Sequence, residues 1–410
     1  MNTNRQILLD NTIIKWFAWL LNILVVLAGK VAPKNHDLSL DFKTIAICKF
    51  KGLGSIIQAT PLLLTLRNAY PDARIIFISS ASNKSLLGQI DIIDEVIILE
   101  DGSFGALIRG VIPFIQRLFR LKIDVYIDLE VYSNFSTVVA ALSNATNRFG
   151  YYLKESNYRM GIYTHMMYYN SSVAIFQTYL QWARLLACRE VVMSLYPFTN
   201  VIAANDPSNS EAEPEYIVIN PNASDLRIER RWPEMQFVHL IGDIIRLRPG
   251  LKICLIGGPG ERDYVTSIER KVNNPAVKNL AGTTSIPELI RLINGACMVI
   301  TNDTGPMHLA FALRKPTVAL FGPCSPAQYG DHSNAVIIYK NVYCSPCVHE
   351  FRIPPCGGNN QCMKQISRVE VLSVVAEIFS GNSPAGSKLS QEHIYRAEDE
   401  VLGIIRRSSY

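Results

Sequence analysis

The chain has 410 residues, enough for two domains of ordinary size. Hydrophobic residues make up 49% and charged residues 18%, which excludes a disordered chain and supplies apolar material for two cores. A net charge of +5 is too small at this length to argue for nucleic acid as a partner, and nine cysteines are too sparse for a disulfide scaffold.

The first informative segment is Trp16 to Gly29 (WFAWLLNILVVLAG), apolar apart from Asn22. As a helix it reaches ~21 Å, whereas a comfortable bilayer span takes about 20 residues. Four basic residues (Arg5, Lys15, Lys30, Lys34) against Asp10 give the first 35 residues a net charge of +3. Three readings compete. A cleaved signal peptide fits the length, but Lys30, Val31 and Pro33 stand where a small-residue cleavage site belongs. A buried amphipathic helix is the plainer reading, but it should show a polar face and this run is apolar all round. A helix held in or at the bilayer, with Trp16 and Trp19 near one interface, accounts for both the run and its basic flanks. That makes residues 1–42 a membrane-associating helix and linker; spanning and surface-lying forms both remain open.

From Lys43 onward short β-rich runs alternate with helical ones. TIAICKF (44–50) predicts a strand, and SIIQATPLLLTLRNAY (55–70) a helix interrupted or kinked at Pro61. RIIFIS (74–79) and EVIIL (95–99) predict strands, GALIRGVIPFIQRLFRLK (105–122) a helix, and DVYIDL (124–129) a strand. Such alternation means βαβ units in a mainly parallel sheet, here over 43–201. Residues 202–214 are polar with two prolines and predict a linker. A second alternation fills 215–382, with strands at 216–220, 252–258, 297–303 and 316–322. Between them run helices at 233–248, from Glu261, at 285–296 and from Pro306. Ser285 with Glu288 three residues on is a capping-box pattern. Two Rossmann-like halves are therefore expected, rather than one large sheet, with a ligand at the carboxyl ends of the strands in the cleft between them.

The densest chemistry lies in TNDTGPMHLAFAL (301–313), where a strand turns through Asn302, Asp303 and Thr304 into a helix at Gly305–Pro306. Proline suits the first helical turn, and free amides with the positive helix end suit a diphosphate. Gly305 admits phosphate close to the backbone, and His308 in the first turn can reach the same anion or a sugar hydroxyl. The plainer alternative is a helix capped by Asp303 or Thr304, with His308 exposed. Arg227, Arg230 and Arg231 crowd the loop after Asn220, where cations suit a phosphate-bearing ligand. A solvated basic loop beside Asp225 and Glu229 is the alternative. GGPGE (257–261) is glycine-rich after a strand; Glu261 fits either a ribose contact or a simple turn. KGLGS (51–55) opens a helix in the first half, but lacks the third glycine of a dinucleotide fingerprint. Neither a Walker A motif nor a Gly-x-Ser-x-Gly elbow is present.

From about Lys43 to Ser367 these features resemble glycosyltransferase family 9, the lipopolysaccharide heptosyltransferase group. The segments carrying the resemblance are Asp303-Thr304-Gly305-Pro306-Met307-His308 and the helix Ser285 to Ala296 before it. The Gly54 turn with Ala59-Thr60-Pro61, Arg230-Arg231-Trp232-Pro233-Glu234, and YIDLEVYSNFSTVVAALSNATNRFGYY (126–152) also match. The resemblance implies the two-domain GT-B fold, with both halves facing across a cleft. It also implies an inverting, metal-independent transferase without a cofactor. Its donor would be a nucleotide sugar, most plausibly ADP-heptose, and its acceptor a lipid-anchored saccharide. Asp303, Thr304, Gly305 and His308 would hold the donor diphosphate and sugar, and Ser224, Arg230, Glu261 and Thr284 would complete the donor side. Lys51 and Gly54 would belong to the acceptor side. The work would be done at the cytoplasmic face of a bacterial inner membrane.

One departure bears on mechanism. The family's turn carries aspartate after the glycine, as the proposed base; here Ser55 stands there, and serine is a poor base at neutral pH. Glu130, at a strand end, is the carboxylate best placed to replace it. If no group does, the chain would be a non-catalytic glycan or nucleotide-sugar binding subunit; an epimerase on the same fold is the other alternative.

Three features stay outside this assignment. Cys344, Cys347, Cys356 and Cys362 fall within 19 residues and fit either a small zinc site or a reduced, loop-packed group. Helix 105–122 carries Arg109, Arg117, Arg120 and Lys122 without an acid, a solvated edge or a surface for anionic lipid or a phosphorylated saccharide acceptor. The tail 383–410 predicts a helix with Ile394, Ala397, Val401 and Ile404 on one face.

Overall fold

The structure, a computed structural model, describes residues 8–203, 215–223, 225–330, 334–348, 354 and 356–381. Ser224, nearly all of 202–214 and the tail 383–410 lie outside the described residues. The chain divides into two compact units after Tyr196, with Ser172–Ala174 assigned to the second.

In the first unit, β1 (Thr44–Cys48), β2 (Arg74–Ser80), β3 (Glu95–Leu99), β4 (Val125–Asp128), β5 (Asn147–Tyr152) and β6 (His165–Tyr168) form one parallel sheet. Their order is β3-β2-β1-β4-β5-β6. The helices are α1 (Lys15–Val31), α2 (Leu53–Ala69), α3 (Phe104–Arg120), α4 (Asn134–Leu142) and α5 (Ile175–Leu185). Because side chains alternate along a strand, Ala46, Cys48, Ile76, Ile78 and Tyr126 share one sheet face. That face buries Phe114 and Leu118 of α3 with Val139 and Ala140 of α4. Of the two forms expected at Pro61, the interruption is not found: α2 runs through it. Its missing N–H would leave the Ile57 carbonyl unpaired, and the Thr60 hydroxyl donates to that oxygen at 2.6 Å instead.

The apolar run from Trp16 forms α1, preceded by a wide turn over Asp10–Ile14. One side of α1 is docked. Ala18 and Leu21 are buried against Val138 and Ile162. Asp10 accepts the Asn134 and Phe135 N–H groups at 2.9 and 2.8 Å, so an acid from the N-terminal segment serves the first turn of α4. Asn22 Oδ1 accepts the Gly161 N–H at 2.7 Å, and a Cβ on Gly161 would collide with Val26 and Asn22. Beyond the helix, Lys34 Nζ donates to the Asn144 carbonyl and side chain at 3.0 and 2.8 Å.

The second unit repeats the scheme. β7 (Tyr216–Asn220), β8 (Lys252–Leu255), β9 (Val277–Asn279), β10 (Met298–Asn302), β11 (Thr317–Phe321) and β12 (Ala335–Tyr339) are parallel. Their order is β12-β11-β10-β7-β8-β9. The helices are α6 (Glu234–Leu247), α7 (Arg262–Val272), α8 (Ile286–Gly295), α9 (Gly305–Ala312) and α10 (Arg368–Phe379). Ile217, Ile219, Ile300, Val318 and Leu320 bury one sheet face against Phe237, Ile241, Val371 and Val375. In each unit the first strand lies between the second and the fourth. The direction of winding reverses there, and doubly wound sheets bind ligands at that point, beyond the strand ends.

Candidate functional site

In the second unit the reversal lies between β7 and β10, and the residues singled out from the sequence gather at the carboxyl edge around it. Thr284 follows β9, Glu261 follows β8, Arg230 follows β7, and Asp303 to His308 follow β10. The β10 turn is held from below. Asn220 donates to the Thr301 and Thr304 hydroxyls at 3.0 and 2.6 Å, and Asn302 bridges the Asn222 carbonyl and the Trp232 N–H at 3.1 and 3.2 Å. Trp232 is fully buried, and its Nε1 donates to the Ile366 carbonyl. This pins Arg230 and Arg231 to the sheet edge.

Thr304 occupies the cap position of α9 in extended conformation, but its side chain does not cap the helix. Its hydroxyl is taken by Asn220. The capping alternative is therefore not what the fold uses: among the described residues no side chain caps α9. His308 is buried, not exposed, with its ring edge-on to Phe311 and Tyr329 at 6.0 and 6.4 Å.

Arg230 Nη1 lies 3.6 Å from Asp303 Oδ2 and donates to the Asp303 carbonyl at 3.4 Å. Burial opposes the guanidinium charge. The acids Asp303 and Glu229 beside it favour that charge, and the group is raised above its ordinary range. Among the described residues the buried Asp303 Oδ2 accepts no hydrogen bond and the buried Arg230 Nε donates none. Orphaned buried polar atoms of opposite charge beside an uncapped helix start are what a polar ligand would satisfy. Burial pushes the Cys324 thiol well up, so it packs there as a neutral group.

Glu261 accepts the Gly258 N–H at 2.7 Å and so closes its own glycine-rich turn. Thr284 is half-buried, directly before the cap of α8. That cap is the expected box, with the Ser285 hydroxyl accepting the Glu288 N–H and Glu288 returning to the Ser285 N–H.

In the first unit the reversal lies between β1 and β4, and here too the expected residues meet. Lys49 Nζ donates to Glu130 Oε2 at 2.8 Å, and the Phe50 and Lys51 N–H groups donate to Glu130 Oε1 at 2.8 and 3.0 Å. Glu130 thus fastens the loop after β1 to the end of β4. Gly52 has φ +93°, a conformation side chains disfavour, and starts α2, which carries the buried Gly54 and half-buried Ser55 in its first turn. Lys51 is exposed. Beneath them Asp128 is wholly buried, accepting the Glu130 N–H and the Tyr163 hydroxyl at 3.0 and 2.6 Å. Desolvation raises its pKa to about 6 against those hydrogen bonds.

Lys49, Asn220, Asn302 and Cys324 were not singled out from the sequence. The asparagines are the last residues of β7 and β10, four positions before Ser224 and one before Asp303, the one signal that marks them. Cys344, Cys347, Cys356 and Cys362 are free thiols that influence one another electrostatically. Among the described residues no three His, Cys, Asp or Glu side chains are grouped to hold a metal ion, and most of 349–355 lies outside those residues.

A family model described as glycosyltransferase family 9 (heptosyltransferase) matches residues 122–355, more than half of the chain. Lipooligosaccharide heptosyltransferase 2 of Campylobacter jejuni is 28% identical over 166 residues, which are 39% of this chain and 50% of that protein. The chain therefore spans about half the length of the Campylobacter relatives it matches. Lipopolysaccharide heptosyltransferase 3 of Escherichia coli is 23% identical over 82% of this chain and 98% of its own. The solved structure of the E. coli ADP-heptose heptosyltransferase II shares the fold, with a TM-score of 0.65 and 22% identity over 83% of this chain and 99% of that one. With two doubly wound parallel sheets of one strand order and a family match over its middle, the chain belongs to glycosyltransferase family 9.

Proposed function

We propose that the chain transfers a sugar, most plausibly heptose from an ADP-linked donor, onto a lipid-linked or lipopolysaccharide-core saccharide at the cytoplasmic face of the inner membrane. The observation that carries this reading is the Arg230–Asp303 pair beside the uncapped start of α9. A diphosphate there would receive the α9 amides and the Arg230 guanidinium, with His308 one helical turn on. The names of its heptosyltransferase relatives support the sugar.

The reaction is read as inverting and independent of metal. The acceptor hydroxyl gives its proton to Glu130 as its oxygen bonds to the anomeric carbon. The bond from that carbon to the diphosphate breaks on the opposite face, and the nucleoside diphosphate leaves with the electron pair. Arg230 and the helix amides neutralise the charge that grows there, the role a metal ion plays elsewhere. A carboxylate has about four lone-pair sites. Among the described residues Lys49, Phe50 and Lys51 occupy three at Glu130, whose side chain keeps 12% exposure, so one site is left for the acceptor. Asp128, wholly buried, cannot meet it.

The test is a panel of ADP-, GDP- and UDP-sugars with mass detection of released nucleotide, with and without lipid-saccharide extract. Acceptor-dependent release from one donor is expected. Thermal stabilisation by a donor without release in any extract would make the chain a binding subunit, and release without acceptor would point to an epimerase.

A further inference from the structure

We infer that α1 is an in-plane membrane anchor: it stays latched to its own unit and sinks Trp16, Trp19, Leu20, Ile23, Leu24 and Leu27 into the headgroup–acyl boundary of an anionic bilayer. The inference rests on the membrane part of the reading above, and vesicle binding needs no turnover, so the two can fail separately.

The segment Asp10–Val31 is long and apolar enough to cross a bilayer. The latch argues that it does not. Fastenings are spread along its whole length: Asp10 at the start, Ala18 and Leu21 one to two turns into α1, Asn22 and Val26 beyond, and Lys34 just past the end. A spanning α1 would either break them all or carry Asn134, Tyr158 and Gly161 of the folded unit into hydrocarbon, where unpaired polar groups are costly. Lying flat costs none of them. The outward side is left apolar and exposed, with Trp16 and Trp19 edge to face at 5.8 Å.

Charge decides the occupant. From Lys15 to Val31 the helix has no acid, and Lys15 and Lys30 mark its ends. On the same sheet face α4 packs against both α1 and α3, and α3 adds exposed Ile108, Ile112 and Phe119 beside Arg109 and Arg120. Two copies meeting through this layer would set cation against cation, whereas anionic headgroups complement it. The placement also serves the proposed acceptor. Asp10 joins the start of α4, a few residues past Glu130, and lies within electrostatic reach of Lys51. A lipid-linked saccharide would then leave the bilayer beside the turn that holds Ser55.

The test uses the purified full chain and flotation with phosphatidylcholine vesicles, with and without about a third phosphatidylglycerol. Flotation with the anionic vesicles, weakened by salt, is expected. Replacing Leu20, Leu24 and Leu27 by serine should weaken it about tenfold or more while the melting temperature holds, because these side chains lie outside the latch. For depth, Ile23→Trp is placed in a Trp16→Phe, Trp19→Phe chain, leaving Trp182 and Trp232 fully buried as background. An in-plane helix puts residue 23 about 5–10 Å deep, a spanning one near the middle of a ~30 Å core. Quenching strongest with lipids brominated near the headgroup supports the inference, and strongest near the chain ends overturns it. Wild-type flotation by the triple-serine chain overturns it too, as does absence of flotation with a dimer in sedimentation, which would make a second copy the occupant.

Discussion

The two units share one strand order and place their candidate residues at the same topological position, yet they treat charge in opposite ways. In the first, Glu130 is held by a lysine and two backbone amides from the neighbouring loop. In the second, Arg230 and Asp303 sit 3.6 Å apart with buried polar atoms unmatched, over a helix start without a side-chain cap. A doubly wound sheet fixes where a ligand can bind but not how prepared that place is. One unit holds its carboxylate in a set direction, and the other leaves a guanidinium donor that a diphosphate could accept from and a carboxylate oxygen that only a donor could match.

Substitutions on either side sharpen that contrast. The largest effect is expected for Glu130→Gln, which removes the proposed base: kcat should fall about 10²- to 10⁴-fold with donor KM little changed in steady-state assays. A kcat near that of the parent chain would move the base out of the first unit. Arg230→Ala should instead weaken donor binding by about 30- to 1,000-fold, ~2–4 kcal/mol by calorimetry, because Asp303 is left buried without its cation. Gly161→Ala overpacks the seat of α1 and should cost ~1–3 kcal/mol. In a calorimetric scan it should lower the melting of the first unit and leave the second in place. The smallest effect concerns Asp128, whose carboxyl is raised to about 6 by burial. Folded chains then bind more protons than unfolded ones between about pH 4 and about pH 6, so this group's contribution to stability falls as pH rises through that window and is level above it. Asp128→Asn should flatten that component of the melting temperature, while a slope unchanged from the parent would assign it to other groups.

Much of this was legible in the chain. The strands with continuous β-branched runs, the Ser285–Glu288 box and the turn from Asp303 into Gly305–Pro306 are local patterns, and local patterns survive folding. What escaped was set by distance or by brevity. β6 is four residues, HMMY, with no alternation, and α4 hides among serines and threonines of low helix propensity. A Ser367–Glu370 box announces α10 as plainly as the one before α8, but sits beyond the motifs. Pro61 reads as a break because the rescue by Thr60 depends on one rotamer. Asn22, which looks like a blemish in an apolar run, is half of a contact whose other half lies 139 positions away.

That separation also sets a timetable for synthesis. Val31 leaves the ribosome roughly 130 residues before Gly161, and at about 5–20 residues per second the apolar helix waits about 6–26 s for its seat. During that interval its inner and outer faces are equally uncovered, and a nearby membrane is the first surface that can shelter both. For a helix sheltered there, docking onto α4 would withdraw one face from lipid. On the anchor proposed above, the docked state would then be the later of two environments for the same helix, reached only once the first sheet has been made.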